Sequence, residues 1–344
     1  MRRLNSKAEG KETAMRRIYW VIVMALLMVV VVRAEDTKLA QTGFQFMSVG
    51  SDARGSALGS AMTAVEMGCG SMQYNPAGMA RMKKMVDITI GQNNWIDNIK
   101  YNLVSVAVSP SGGRYGVIGV SLLAVDYGEV QGTMVWENEQ GYIDTEILHP
   151  SSFSAGIGYA KTLTNKFAVG GQVKIAGQQL GKSVVPTGDA DDSLKVKRNV
   201  QTAIAYDFGT LYKTGFKSLV FGMSVNNFSR EIKYETENFE LPLTFKIGIS
   251  IDLMDFMPQM GGRQSLVMSV DATHPRDYPE QMNIGLEYGF HEMLKLRMGY
   301  MLVSDEQNIS FGFGLQKYGI GIDYAYAPFG VFDNIQMFTL RFNY

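Results

Sequence analysis

The chain has 344 residues, of which 46% are hydrophobic and 19% charged, and its 32 Lys and Arg residues nearly balance 33 Asp and Glu residues. This apolar content excludes a disordered chain, the lack of a basic excess argues against nucleic acid as a partner, and the single Cys69 excludes an internal disulfide. The composition is unusual in having 37 Gly against 9 Pro. No collagen-like period accounts for the glycines, so they require a structural explanation.

The first segment, residues 1–34, has the pattern of a secretory signal peptide. Residues 18–32 form a continuous apolar run after two arginines, and a small-x-small pattern suited to signal peptidase ends at Ala34. An uncleaved membrane anchor is the alternative, but a spanning helix needs about twenty apolar residues. We expect cleavage near Ala34, with translation starting at Met1 or Met15. The leader holds seven Lys and Arg but two Glu, so its removal changes the net charge from −1 to about −6.

The region after residue 84 alternates between apolar and small or polar residues in runs of about ten, which is typical of strands. A soluble sandwich would bury the apolar face against a second sheet, whereas a membrane barrel would turn that face toward lipid. The length of the runs, the aromatic residues near their ends and the aromatic C-terminus favour the barrel. The last run alternates in this way and is the expected membrane-assembly strand; its apolar positions are Phe338, Leu340, Phe342 and Tyr344.

Fourteen such runs can be counted, an even number as in bacterial single-chain barrels. Residues 128–148 could add a hairpin, but their five acidic side chains suit solvent better and predict an excursion within a long loop. The sequence therefore predicts an all-β protein, a transmembrane antiparallel β-barrel over residues 85–344, in the outer membrane of a Gram-negative bacterium. Outer-membrane lipid and the barrel-assembly machinery are the partners that this fold implies. The strands are expected near residues 85–94, 99–109, 114–127, 152–162, 166–180, 195–208, 216–227, 242–253, 264–272, 280–290, 293–302, 307–316, 318–326 and 336–344.

Residues 35–84 lack this alternation and are rich in small residues, which predicts an N-terminal plug segment inside the lumen. Fourteen strands enclose more space than their own side chains fill, and small residues allow backbone to pack closely there. Arg54 is a charge among these small residues, so it should find a carboxylate partner on the barrel wall. Asn75, Pro76 and Gly78 form either the corner between plug and first strand or a functional motif.

Three patches of sequence resemble the PorV/PorQ family, which belongs to the wider FadL-like group of outer-membrane proteins. The first patch holds an aromatic pair, an Ala-Arg-Gly step and a Tyr-Asn-Pro-Ala-Gly-Met run, and the other two precede later strands. The residues concerned are Phe44, Phe46, Ala53, Arg54, Gly55, Tyr74, Asn75, Pro76, Ala77, Gly78 and Met79, with residues 274–281 and 325–330.

The resemblance implies two different functions. Membership of the PorV/PorQ type implies a role in type IX secretion, or in attaching secreted proteins at the cell surface, with secretion components or cargo domains as partners. The FadL-like group implies transport of long-chain fatty acids or other hydrophobic small molecules. A structural barrel without substrate is the third alternative.

A fatty-acid carrier would keep an inward basic group for the carboxylate. Inward-facing bases could also be neutralised by carboxylates within the lumen. The candidate bases are Lys246, Arg297 and Arg341, and the candidate carboxylates are Asp252, Glu287 and Asp323.

The sequence contains no catalytic, metal or cofactor motif, so we expect neither an enzyme nor a bound cofactor. The three histidines, His149, His274 and His291, fall at expected loop positions without metal-ligand spacing. An acidic cluster in residues 188–193 could bind calcium, but it lacks the regular ligand spacing of an EF-hand and is better interpreted as a solvated loop.

Overall fold

The computed structural model describes residues 42–186, 194–234, 237–257, 264–291, 293–302, 307–330, 332 and 334–344. The expected signal peptide with its cleavage site, and the acidic cluster at 188–193, lie outside the described residues. The strands are β1 (Val86–Asn94), β2 (Lys100–Val108), β3 (Val117–Asp126), β4 (Val130–Val135), β5 (Tyr142–Leu148), β6 (Ser151–Thr162), β7 (Phe167–Pro186), β8 (Leu194–Lys213), β9 (Val220–Phe228), β10 (Ile232–Tyr234), β11 (Glu237–Phe239), β12 (Thr244–Asp252), β13 (Gln264–Pro275), β14 (Gln281–Phe290), β15 (Leu294–Leu302), β16 (Ile309–Lys317), β17 (Ile320–Ala327) and β18 (Ile335–Asn343).

Fourteen of these strands form one closed antiparallel barrel, which confirms the predicted fold class. Each wall strand pairs with its neighbour in the wall, and β18 closes the barrel against β1 with Asp87 opposite Asn343 and Asn94 opposite Gln336. All fourteen runs expected from the sequence are wall strands. Period-two alternation determines which side chains point in, and β3 shows it without interruption, with buried and exposed residues in strict succession.

The two ends of the barrel differ. At one end, which we call the C-terminal rim, Tyr344 pairs with Val86 and most of the connections between strands are short. At the other end, the loop rim, β7 and β8 run on to twenty residues each and two small hairpins, β4–β5 and β10–β11, stand outside the wall. In bacterial barrels the short turns face the periplasm and the long loops face outward.

Residues 128–148 differ in one respect from the expected irregular excursion. They leave the wall as expected, but they form the regular hairpin β4–β5 with Val130 opposite Leu148. Because the hairpin leaves the wall at the loop rim, its acidic side chains stay in water.

The segment before β1 lies inside the barrel and begins near the loop rim, where Thr42 bridges to Glu240. It contains one short helix, α1 (Ala53–Ala57), and otherwise folds in turns. The carboxylate of Asp52 caps α1 by accepting the amide of Gly55 at 3.0 Å. The remaining helical turns in the described chain are 3₁₀ turns at Gln45–Ser48, Gly68–Gln73, Pro76–Met79, Ile96–Asn98, Pro110–Gly113 and Leu253–Phe256. Within the described residues, every helix is too short to cross a membrane.

Candidate functional site

The plug backbone lies directly against glycines of the barrel wall. A β-carbon at Gly170 of β7 would lie 2.5 Å from the nitrogen of Ala77, and one at Gly299 of β15 would lie 2.5 Å from the carbonyl carbon of Leu58. Such distances are shorter than real β-carbon contacts, so these wall positions accept only glycine without displacement of the plug. The glycine excess is thus explained in part by close packing between plug and wall.

Asn75 ties two parts of the plug to the wall. Its buried side-chain amide donates to the carbonyl of Thr63 at 2.7 Å and to the carbonyl of Thr210 on β8 at 3.1 Å, and its oxygen accepts the amide of Ala77 at 3.1 Å. Pro76 then begins a 3₁₀ turn, as its fixed φ favours. Gly78 packs against Ser71, with no room for a β-carbon. This arrangement accounts for the three residues as a structural corner.

Arg54 forms a buried ion pair with the wall. Its guanidinium contacts Glu287 of β14 at two points, with Nε 2.9 Å from Oε2 and a terminal nitrogen 3.0 Å from Oε1. The sequence predicts a carboxylate partner on the wall for this residue. Two-point geometry makes such a pair strong and directional.

This ion pair is the first link of a chain of alternating charges. Arg297 on β15 bonds Glu287 at 2.6 Å and Asp323 of β17 at 2.5 Å. Arg341 on β18 lies 3.2 Å from Asp323 and 3.2 Å from Asp52 in the plug. Three arginines and three carboxylates therefore balance, and the chain begins and ends on the plug.

The aromatic pair fixes the outer end of the plug. Phe44 and Phe46 are both buried, with ring centroids 5.9 Å apart, and Phe44 stacks on Phe239 at 6.0 Å. Phe44 adopts a left-handed backbone conformation with φ of 57°, which is rare for a residue with a bulky side chain. The packing of its ring compensates for that strain.

Two titratable groups of the plug are buried in their neutral forms. Burial, reinforced by the neighbouring carboxylate of Asp87, raises the pKa of the Cys69 thiol, which lies 2.9 Å from Asp87 Oδ1 and 3.2 Å from Thr89 Oγ1. Burial, reinforced by Asp52, likewise raises the pKa of the Tyr74 hydroxyl. Desolvation disfavours the charged form of each group, so both act as apolar packing elements at neutral pH.

The plug separates two cavities, which share no lining residue among those described. The smaller, about 240 Å³, lies toward the C-terminal rim beside the ion-pair chain and Lys295. The larger, about 440 Å³, reaches the loop rim. Its size is in the range of small-molecule sites. Apolar side chains contribute one part of its lining, namely Met47, Val49, Met72, Tyr74, Trp95, Leu123, Met301 and Met337.

The other part of the larger cavity is polar, and Lys246 of β12 is central to it. Lys246 makes no hydrogen bond or ion pair with any residue that the structure describes, and its electrostatic partners Asp271 and Asp207 act without direct contact. Three polar atoms on the same wall are buried without a hydrogen-bond partner among the described residues; they are Asn226 Nδ2, Thr273 Oγ1 and Asn283 Oδ1. Register places Lys246 opposite Thr273.

Of the three candidate bases, Lys246 is the one that makes no direct hydrogen bond or ion pair with a described residue. Arg297 and Arg341 are held by carboxylates, as described above. A second lysine of the cavity, Lys174, was not singled out from the sequence, and it is held by Asp207 at 2.8 Å and Asn227 at 2.6 Å. The alternation of inward and outward residues along β7 predicts its inward position.

Asp252 requires a correction. It does not join the lumen charges, because it lies at the end of β12 and caps the following turn. Its carboxylate accepts the amides of Met254 at 2.9 Å and Leu266 at 3.0 Å. The alternation along β12 predicts the side of the wall that Asp252 faces, but it does not predict that the residue lies at the end of the barrel.

The strand that closes the barrel places its four apolar residues outward. Phe338, Leu340 and Phe342 are exposed on the wall, and Tyr344 follows at the rim. Among the described residues, no group of three or more His, Cys, Asp and Glu side chains could hold a metal ion.

No family model matches the chain, and no curated protein matches its sequence. Solved structures do match. The CymD monoaromatic hydrocarbon channel superimposes with a TM-score of 0.57 at 12% identity over 86% of this chain and 98% of the channel. The chain shares the closed-barrel fold of this channel. The Pseudomonas putida toluene transporter TodX gives 0.56 at 13% identity over 89% and 98%, and a Pseudomonas aeruginosa FadL homologue gives 0.49 at 12% over 85% and 97%.

These likenesses concern the fold. They contain nothing that supports the PorV/PorQ assignment or type IX secretion.

Proposed function

We propose that this protein is an outer-membrane channel for small hydrophobic and amphipathic molecules, and that its plug controls their passage. The observation that carries the proposal is the larger lumen cavity, in which an apolar lining faces a polar wall whose Lys246 makes no direct hydrogen bond or ion pair with a described residue. The names of the matching structures, a monoaromatic hydrocarbon channel and a toluene transporter, support transport over secretion.

The lining favours an amphipathic solute over a bare hydrocarbon. Lys246, Asn226 and Thr273 carry hydrogen-bond donors for which a hydrocarbon has no acceptor, and leaving buried polar groups unpaired costs about 1–3 kcal/mol each. A solute with an apolar body and a carboxylate would satisfy both parts of the cavity.

Uptake of a labelled long-chain carboxylate into proteoliposomes tests this function. We expect saturable uptake by the intact protein and faster, unsaturable entry when residues 43–80 are deleted. Uptake that is no greater than into protein-free liposomes would contradict transport. Uptake that is indifferent to the deletion would contradict control by the plug.

A second candidate function is a role at the cell surface in type IX secretion, which the sequence resemblance implies. The hairpin β4–β5 favours it, because Val135 and Trp136 are exposed near its tip among acidic side chains. A crosslinked pull-down from intact outer membranes, compared with a variant lacking residues 131–147, tests this role. Recovery of no secretion component or cargo domain by the intact protein would contradict it.

A further inference from the structure

The outward face of the barrel is apolar on most of its wall strands. Strand β14, for example, presents five consecutive outward positions with aliphatic or aromatic side chains, from Met282 to Phe290. At about 3.4 Å per residue these positions cover roughly 27 Å of strand. Such a length is what a tilted strand needs to cross an apolar band of about 25 Å with its aromatic margins.

Strands β1 and β2 depart from this pattern. Outward apolar positions on β1 end at Ile90, and those on β2 begin at Val104. The apolar stretch from Val86 to Ile90 covers roughly 13 Å of strand, about half the length found on β14. The shortfall lies at the loop rim.

A cluster of polar side chains occupies the missing part of the belt. Register places Gln92 opposite Asn102, and Asn94 opposite both Lys100 and Gln336. These side chains, together with Asn98 in the connecting turn, border a recess of about 430 Å³, with Asn102 just below. We call the set the amide notch; its residues are Gln92, Asn94, Asn98, Lys100, Asn102 and Gln336.

The side chains of the amide notch have no hydrogen-bond partner within the part of the chain that the structure describes. Lys100 also has no ion-pair partner there: Asp126 is its register partner on β3, but the Asp126 carboxylate accepts the amide of Gly128 at 3.0 Å and lies beyond ion-pair distance of Lys100. Lipid chains offer nothing to such groups, and unsatisfied polar groups in hydrocarbon cost several kcal/mol each. All six side chains are exposed, so a lipid headgroup that enters the notch can take the place of water as their hydrogen-bond partner.

We propose that the amide notch binds the headgroup of a phosphorylated glycolipid of the outer leaflet. Side-chain amides both donate and accept hydrogen bonds, which matches the hydroxyl groups of a sugar. The ammonium of Lys100 supplies a positive charge for a phosphate. The notch faces sideways from the wall, so a lipid can occupy it while its chains lie against the short apolar stretch below. This binding is independent of what passes through the lumen.

Binding of lipopolysaccharide to the purified full chain in neutral-lipid nanodiscs tests the proposal. We expect Lys100→Gln to raise the half-saturating lipid concentration at least fivefold, and dephosphorylated lipopolysaccharide to bind the unaltered protein more weakly by a similar factor. The Gln92→Leu/Asn94→Leu variant, which extends the apolar belt, should also lose affinity. Lys317→Gln, an exposed lysine at the opposite rim, is the matched control and should bind as the unaltered protein does.

Three results would overturn the proposal. The first is equal affinity of Lys100→Gln and Lys317→Gln for the lipid. The second is Lys100-dependent binding of inorganic phosphate without Lys100-dependent binding of the lipid, which would indicate a site for a free anion. The third is self-association of the unaltered protein that the Gln92→Leu/Asn94→Leu variant loses while its lipid binding stays unchanged, which would indicate an interface between two copies. Heat-modified mobility on gels reports folding of each variant independently.

Discussion

Arg54 in the plug and Glu287 on β14 form a two-point ion pair, with contacts of 2.9 and 3.0 Å, across 233 residues of sequence. Glu287 also holds Arg297, so the plug is joined to a chain of charges that runs through the wall and returns to Asp52. Because both ends of this chain lie on the plug, moving the plug requires breaking ion pairs at two places.

Replacement of Arg54 by Met should loosen the plug without unfolding the barrel. Charge-assisted hydrogen bonds contribute about 1.5–3 kcal/mol, so the population with a displaced plug should rise by roughly tenfold or more. Single-channel conductance in planar bilayers measures this as more frequent openings. Arg81→Met is the control, because Arg81 pairs with the more exposed Glu66 near the C-terminal rim. Equal opening rates in both variants would show that the Arg54 pair does not hold the plug.

The Cys69 thiol should report on plug position. Because burial raises its pKa above the ordinary value of about 8.5, its thiolate is scarce even at pH 9. Maleimide labelling of Cys69 in the folded protein should therefore be slow throughout the range from pH 7 to 9. At each pH in that range, labelling of urea-unfolded protein should be much faster. A Cys69→Ala/Ser151→Cys variant, with an exposed thiol, is the control; labelling of Cys69 at the same rate as that thiol would contradict burial.

Gly299→Ala should displace the plug, because its methyl group would overlap the backbone at Leu58 and Gly59. Overpacking of this kind costs about 1–3 kcal/mol of unfolding free energy, measurable by urea titration. Gly321→Ala is a matched control on β17, since its added carbon would lie 3.6 Å from Arg341, an ordinary contact. A smaller loss at Gly299 than at Gly321 would contradict close packing of plug on wall.

Asn75→Asp should weaken the corner between plug and barrel. The substitution removes the donor that bonds the carbonyls of Thr63 and Thr210 and puts a carboxylate oxygen against them. We expect a loss of about 2 kcal/mol in unfolding free energy and faster labelling of Cys69. Asn165→Asp, at the exposed β6–β7 turn, should change neither quantity. Unaltered stability of Asn75→Asp would show that this amide does not tie plug to wall.

The strands could be predicted from sequence because alternation is a local property of each run. Alternation predicts whether a side chain points inward or outward, but it does not predict where along the barrel axis that side chain lies. For this reason the sequence wrongly groups Asp252 with the lumen charges. The ion pair of Arg54 shows the same limit. Because burying a lone charge is costly, the sequence predicts that Arg54 has a carboxylate partner. That this partner is Glu287 depends on which strands contact the plug, and the sequence does not show this. The alternation along β12 makes Lys246 a candidate. Only the three-dimensional positions of the carboxylates show that Arg297 is held in ion pairs whereas Lys246 has no direct ion pair with a described residue.

The half-saturating concentration for carboxylate uptake by the Lys246→Gln variant most directly tests the proposed solute site in the larger cavity. Loss of one charge-assisted hydrogen bond should raise the half-saturating concentration of a labelled long-chain carboxylate about tenfold or more, with uptake of toluene unchanged. Lys295→Gln, beside the smaller cavity on the other side of the plug, should leave both unchanged. Equal half-saturation for the carboxylate in Lys246→Gln, Lys295→Gln and the unaltered protein would contradict a solute site in the larger cavity.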